Sequence, residues 1–383
     1  MSTLAITGEV FRWAIERAGF SDEKLALSLH TKPEKIIAWE TGKEYPNFQQ
    51  AQKLATALSI PLGYLFLSDP PEITVPIADF RTLPGKPSTT ISLNLQDLLD
   101  DALRKRDWYS EWRKSEGLAP FEFIGKFTIH DNPSDIVNDM RQVLEIPPDY
   151  ASHLKTWDDH LRLLVQKVEQ GGILVLQSGV VGNNTHRKLS LEEFRGFALA
   201  DKFAPLIFVN AQDSIAARIF TIMHELTHLW TGTSGISNPE IVPGDLEVQQ
   251  IEHFCNKIAA DFLVPQEVFR KKWNNSLDTL ENTQNLARHF RVSAQVILRR
   301  SYDLGIIPSD EYFVTYQEIS KAGNVGKKGS GGDFYNSFFS RNSRSFTRTL
   351  ISAIASGNLS YLDAARLLNT QPRSIANAIE RLG

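Results

Sequence analysis

Ile222-Met223-His224-Glu225-Leu226-Thr227-His228-Leu229-Trp230 decides how the chain reads. On a helix, His224 and His228 lie one turn apart on one face, where two imidazoles can grip one zinc ion. Glu225, beside the first histidine, is then placed to take a proton from water activated by the metal. The alternative is a pair of inert, hydrogen-bonded core histidines. The flanks favour the metal. Met223, Leu226, Thr227, Leu229 and Trp230 are uncharged, and Ile215, Ile219 and Phe220 precede them, as suits the buried floor of a cleft. The run Pro205–Asn210 just before it reads as a strand packed on this helix, and at a sheet edge it could bind an extended peptide by strand addition.

A zinc hydrolase needs a third protein ligand and an open coordination position. Glu240, Asp245, Glu247, Glu252, Asp261 and Glu267 lie downstream. A second long helix is expected from about Leu246 to Leu263, with Ile251, Phe254, Cys255, Ile258, Phe262 and Leu263 as its apolar face. Glu252 projects at the margin of that face, where a carboxylate is costly unless paired or bound to metal. His253 points the other way. Glu252 is the first choice for the third ligand, with Glu247 as the alternative if the helix starts early enough.

The 383 residues suggest two to four domains, and 42% hydrophobic with 22% charged residues is ordinary for a globular chain. A net charge of −4 gives no global electrostatic case for nucleic acid or an anionic membrane, so any DNA contact must be local. Cys255 is the only cysteine, which excludes an intramolecular disulfide and a cysteine-based zinc finger. The first twenty residues lack the basic start and apolar run of a signal peptide. No run of about 18 apolar residues exists to span a bilayer. A soluble, cytoplasmic protein without a membrane partner is expected.

The expected fold class is α+β and predominantly helical. Residues 1–68 read as a bundle of short helices, and 69–130 as a proline-rich linker and helical connector. Residues 131–308 read as a domain with a small sheet packed on the HExxH helix. Residues 309–383 read as a C-terminal helical region containing a Gly/Lys-rich link over 321–332.

Arg218-Ile219-Phe220-Thr221-Ile222-Met223-His224-Glu225-Leu226-Thr227-His228-Leu229 resembles the active helix of the ImmA/IrrE family of zinc metallopeptidases. Glu252 through Pro265 is similar to that family's later ExxANxFAxxLLMP helix, with Cys255 where alanine is usual. The resemblance covers roughly 144–301. It implies a zincin-like domain with His224, His228 and Glu252 as zinc ligands and Glu225 as general base. It does not say which substrate is cut.

Gly19 through Pro46, with its WExGKxxP ending and the following Ile60-Pro61-Leu62-Gly63-Tyr64-Leu65, resembles the Xre-type helix-turn-helix of phage repressors. That resemblance implies a recognition helix from Pro33 to Trp39, with Lys32, Glu34, Lys35 and Ile37 nearest the bases of DNA. Asp22 stands where a glutamine commonly meets a phosphate, and His30 occupies the usual turn glycine. Acids outnumber bases before Pro70, which predicts weak DNA affinity or a need for a homodimer. A helix-turn-helix reused for protein contacts is the alternative.

Near the C-terminus, Leu359–Leu368 and Pro372–Ile379 read as two more helices in a locally basic stretch, better suited to a helical bundle or partner-docking module than to nucleic acid. The phenylalanine-rich Phe334, Tyr335, Phe338 and Phe339 are expected in a core. Together these readings predict a regulatory zinc-dependent endopeptidase fused to a DNA-binding domain. Its target would be a cytosolic regulator such as a repressor, encoded by a neighbouring gene. The competing expectation is a non-proteolytic transcriptional regulator or antitoxin-like protein that uses the same fold to bind a partner.

Overall fold

The computed structural model describes residues 3–71, 78–79, 91–237, 246–322 and 334–382. The chain divides into two compact units. The first comprises Met1–Pro76 with Thr90–Asp97, the second Ile77–Thr89 with Leu98–Gly383. The fold is α+β and predominantly helical.

In the first unit, α1 (Gly8–Arg17), α2 (Asp22–Ser28), α3 (Pro33–Glu40) and α4 (Phe48–Ala57) are closed by a 3-10 turn at Leu62–Phe66. Local chemistry sets the boundaries. The Ser21 hydroxyl accepts from the Lys24 amide to start α2, and Pro33 sits in the first turn of α3. Asn47 and Gln50 form a reciprocal capping box at α4. His30 takes the left-handed backbone (φ 52°) between α2 and α3. A side chain therefore stands where glycine would bear no strain. Phe11, Leu25, Ile36, Trp39, Leu54 and Leu65 anchor the core.

In the second unit the long α5 (Leu93–Ser115), whose first residues group with the first unit, leads to α6 (Pro133–Leu144) and α7 (Trp157–Gln170). A five-stranded sheet follows the order β1 (Ala78–Asp79), β7 (Gly235–Ser237), β5 (Gly196–Leu199), β6 (Leu206–Asn210), β2 (Leu174–Ser178). A separate hairpin pairs β3 (Val180–Val181) with β4 (Asn184–Lys188). β2 and β6 run parallel from Leu174 opposite Leu206 to Ser178 opposite Asn210, and every residue in both is buried. Covered on both faces, they open on unalternating apolar runs, Leu174–Leu176 and Leu206–Val209. The strand Leu206–Asn210 lies inside the sheet, flanked by β5 and β2. The condition for strand addition, a place at the sheet edge, is therefore not met: both its ladders are already filled.

Helix α8 (Ile215–Trp230) packs under β5 and β6 and against α7 and α9 (Leu246–Leu263). Ser214 caps its start by accepting from the Ala217 amide. Eleven of its residues, including Ile219 and everything from Thr221 to Trp230, are buried. Each buried Leu or Ile there contributes about 1.5–3 kcal/mol from apolar surface alone. After Pro265 come α10 (Gln266–Lys272), α11 (Thr279–Phe290), α12 (Ala294–Asp303) and α13 (Ser309–Ala322). The C-terminal helices are α14 (Phe334–Asn342), α15 (Arg344–Ala355), α16 (Tyr361–Leu367) and α17 (Pro372–Leu382). Phe338 and Phe339 are buried, α14 packing beside β2, as expected of core aromatics. The side chains of Phe334 and Tyr335, most of the Gly/Lys-rich link and most of the proline-rich linker lie outside the described residues.

Candidate metal centre

The rigid, buried α8 places His224 and His228 one turn apart with their Nε2 atoms 3.1 Å from each other. Helix α9 brings Glu252 to meet them. Its two carboxylate oxygens stand 3.2 Å from His224 Nε2 and 3.3 Å from His228 Nε2. All three side chains are buried, with ligand atoms within 4.8 Å of one another. Glu247, the alternative third ligand, is exposed in the first turn of α9 and stands apart from this group. His253 is likewise exposed.

The donor set fits a divalent cation. Both Glu252 oxygens are buried and lack hydrogen-bonding geometry to any partner, although two imidazole nitrogens lie within 3.3 Å. A carboxylate in that setting is costly unless a cation meets it. Two nitrogens and one oxygen converging on one point are the donors zinc takes in hydrolases. Electrostatics agree. Burial pushes the Glu252 carboxyl upward, yet the charge of His224 and contacts with both imidazoles overcome this and hold it down at about 2. Burial disfavours the His224 imidazolium, but the Glu252 charge outweighs it and lifts the group to about 9.

A second layer orients the histidines. His224 Nδ1 donates to Asn256 Oδ1 at 3.0 Å, and His228 Nδ1 donates to Thr233 Oγ1 at 2.9 Å, which in turn donates to the His228 carbonyl. These bonds put the ring protons on Nδ1 and turn the Nε2 lone pairs towards the cluster. Sequence reasoning assigned no role to either residue. Asn256 stands four residues after Glu252, on the same face of α9, and that spacing was a usable signal. Thr233 lies beyond the end of α8 and had none.

Glu225 is fully buried. Its Oε1 has no hydrogen-bond partner, and its Oε2 lies 3.5 Å from the Ser237 hydroxyl. Burial first, then the nearby Glu252 charge, raises its carboxyl to about 8 against the opposing pull of His224. Ser237 also sits 3.3 Å from His228 Nε2. Across the ladder Ser237 faces Gly196, where a Cβ would lie 2.7 Å from Glu225 Oε1. Glycine inside a strand marks a close approach, and here the approaching group is this carboxylate.

In the first unit, Lys32, Glu34 and Ile37 are exposed on or beside α3. Lys35 is half-buried, its ammonium 5.6 Å from the centre of the Trp39 ring. Arg12 is held by Glu40. Burial, with repulsion from Glu40 and Glu23, raises the Asp22 carboxyl.

With this geometry in view, comparisons with known proteins add the following. Residues 169–302 match the peptidase family model described as the IrrE N-terminal-like domain, so this segment is a metallopeptidase-like domain. A second model, a domain of unknown function, matches residues 342–381. No curated protein matches the chain. Among solved structures, the crystal structure of Bacillus thuringiensis PlcR in complex with the peptide PapR7 and DNA is similar over 99% of both chains, at 12% identity. Its TM-score of 0.15 is too low for the two folds to be equated.

Proposed function

We propose that the chain is a regulatory zinc endopeptidase whose first unit is an Xre-type DNA-binding domain, acting on a cytosolic regulator such as a repressor. The observation that carries the enzymatic reading is Glu225. A fully buried carboxylate with an unpartnered oxygen, beside a His-His-Glu cluster, is costly to keep in a module that only binds. His224, His228 and Glu252 would hold the ion. Zinc held there supplies Lewis acidity towards a water and a peptide carbonyl. Glu225, next to His224 and with Oε1 free of any hydrogen bond, would take the proton of a water at Oε1 and return it to a leaving amine. Asn256 and Thr233 hold the imidazoles.

The exposure of Lys32, Glu34 and Ile37 supports a recognition role for α3. The excess of acid in this unit argues for weak, salt-sensitive DNA binding unless two copies act together.

The test is co-expression with the product of the adjacent gene, using the wild type and Glu225→Gln, with zinc content measured in both. Cleavage that depends on Glu225, with zinc retained in the variant, is the expected result. Loss of zinc in Glu225→Gln would show that Glu225 is a ligand. A stable complex left uncut by either form would replace the peptidase with the antitoxin-like reading.

A further inference from the structure

The short strand β7 borders the metal cluster and has two edges. One edge pairs with β5, and the Ser237 at its end touches both His228 and Glu225. The other edge is taken by the chain's own Ala78 and Asp79, paired in parallel with Gly235 and Ile236. The far end of the sheet is β2, separated from β7 by β5 and β6. The edge beyond β7 is therefore the one beside the cluster, where an extended peptide could add a strand and bring its backbone to Glu225. A strand edge presents one row of N–H and C=O groups and pairs with one partner at a time.

We propose that Ala78–Asp79 is a cis-acting occupant of the peptide-binding edge, so that the protein competes with its own substrate or partner for the metal centre. This rests on the metallopeptidase reading of that site. The pairing is built to yield. Among the described residues it spans two, Ala78 and Asp79, and parallel pairing is the weaker kind per residue. Tethering compensates, because a segment of the same chain acts at an effective concentration on the order of millimolar. A peptide with more backbone to pair can displace it, and the self-pairing then sets a threshold for engagement.

The test compares the zinc-loaded full chain with the double variant Ala78→Pro, Asp79→Pro, since proline cannot donate to the ladder. Two probes are titrated by calorimetry: acetohydroxamate, which reaches metal but is too small to pair as a strand, and a hydroxamate-capped tetra-alanine peptide. Acetohydroxamate is expected to bind both proteins alike. The peptide probe is expected to bind the variant about tenfold more tightly, because it no longer competes with a tethered strand. Equal peptide affinities, with acetohydroxamate bound by both, would overturn the self-occupancy and leave the metal centre standing. Failure of acetohydroxamate to bind either zinc-loaded protein would overturn the metal-centre reading and this proposal with it. Ala78→Gly, Asp79→Gly keeps the N–H groups and weakens only the strand's propensity. It is expected to give an intermediate gain, and it decides the question if the proline variant does not fold.

Discussion

A Cβ on Gly196 would sit 2.7 Å from Oε1 of Glu225, so the general-base candidate occupies space that only glycine leaves open. The same Cβ would meet Thr221 Cγ2 at 2.7 Å and the Phe208 carbonyl oxygen at 2.9 Å. A shift of the Glu225 side chain alone would not make room, because the Phe208 carbonyl is backbone. Gly196→Ala is expected to cost about 1–3 kcal/mol in stability from overpacking. It should reduce hydrolysis sharply while zinc content stays at the wild-type level, since no ligand atom is involved. Thermal unfolding, zinc analysis and the co-expression cleavage assay check this; unchanged cleavage would show that Glu225 does not need its present place.

Asn256 orients His224 without contacting the ligand position itself, through the 3.0 Å bond from His224 Nδ1. Removing such outer partners commonly costs about 10–100-fold in metal affinity. Asn256→Ala should fall in that range, measured by competition with a chromophoric chelator. Asn256→Asp retains an acceptor and should lose much less. Equal losses in both variants would mean that Asn256 acts through packing.

The helices that carry the cluster were legible because their signals are local. His224 and His228 are spaced by one turn, and the apolar face of α9 marks Glu252 as an acid pointing inwards. The strands were less so. β2 and β6 announce themselves as apolar runs, but β4 reads Asn184-Thr185-His186-Arg187-Lys188 and is mostly exposed, so only its pairing with β3 makes it a strand. Among the described residues β7 has three and β1 two; both exist through tertiary pairing that no local pattern encodes. For the same reason no local pattern could tell whether Leu206–Asn210 stands at a sheet edge; it lies inside the sheet, whose outermost strands are β1 and β2. Ser237 and Thr233 enter the site through these loops and short strands, far from any periodic segment.

Glu169 at the end of α7 fastens the C-terminal helices to the peptidase-like domain. It is buried, and one of its oxygens accepts from the Ser343 hydroxyl at 2.6 Å and the Arg344 amide at 2.9 Å, at the start of α15. Glu169→Ala leaves the buried Ser343 hydroxyl and the partly buried Arg344 amide without their acceptor, at an expected cost of about 1–3 kcal/mol. Because burial already raises the Glu169 carboxyl, Glu169→Gln should be nearly neutral, its amide oxygen keeping the acceptor without the charge. Chemical denaturation of the two variants separates these outcomes. A large loss in Glu169→Gln would show that the charge, rather than the acceptor, holds α15.

His160 gives the fold a pH dependence independent of the metal cluster. It is fully buried, with Nδ1 donating to the Arg291 carbonyl at 3.0 Å and Nε2 accepting from the Tyr150 hydroxyl at 2.6 Å. Burial drives its pKa down from 6.5 to about 4, against the Arg291 carbonyl, which favours the charged ring. Since the folded value is the lower one, the unfolded chain binds the extra proton between these limits, and stability falls as pH falls from 6.5 to about 4. Above pH 6.5 the group contributes no slope. Over the full window the loss is at most about 3.5 kcal/mol, from 1.36 kcal/mol per unit. His160→Gln can keep both hydrogen bonds and cannot take the proton. Urea unfolding midpoints at pH 7, 5.5 and 4.5 should therefore decline less steeply in the variant, by up to one proton's worth of slope. Parallel declines in the two proteins would place the acid sensitivity elsewhere.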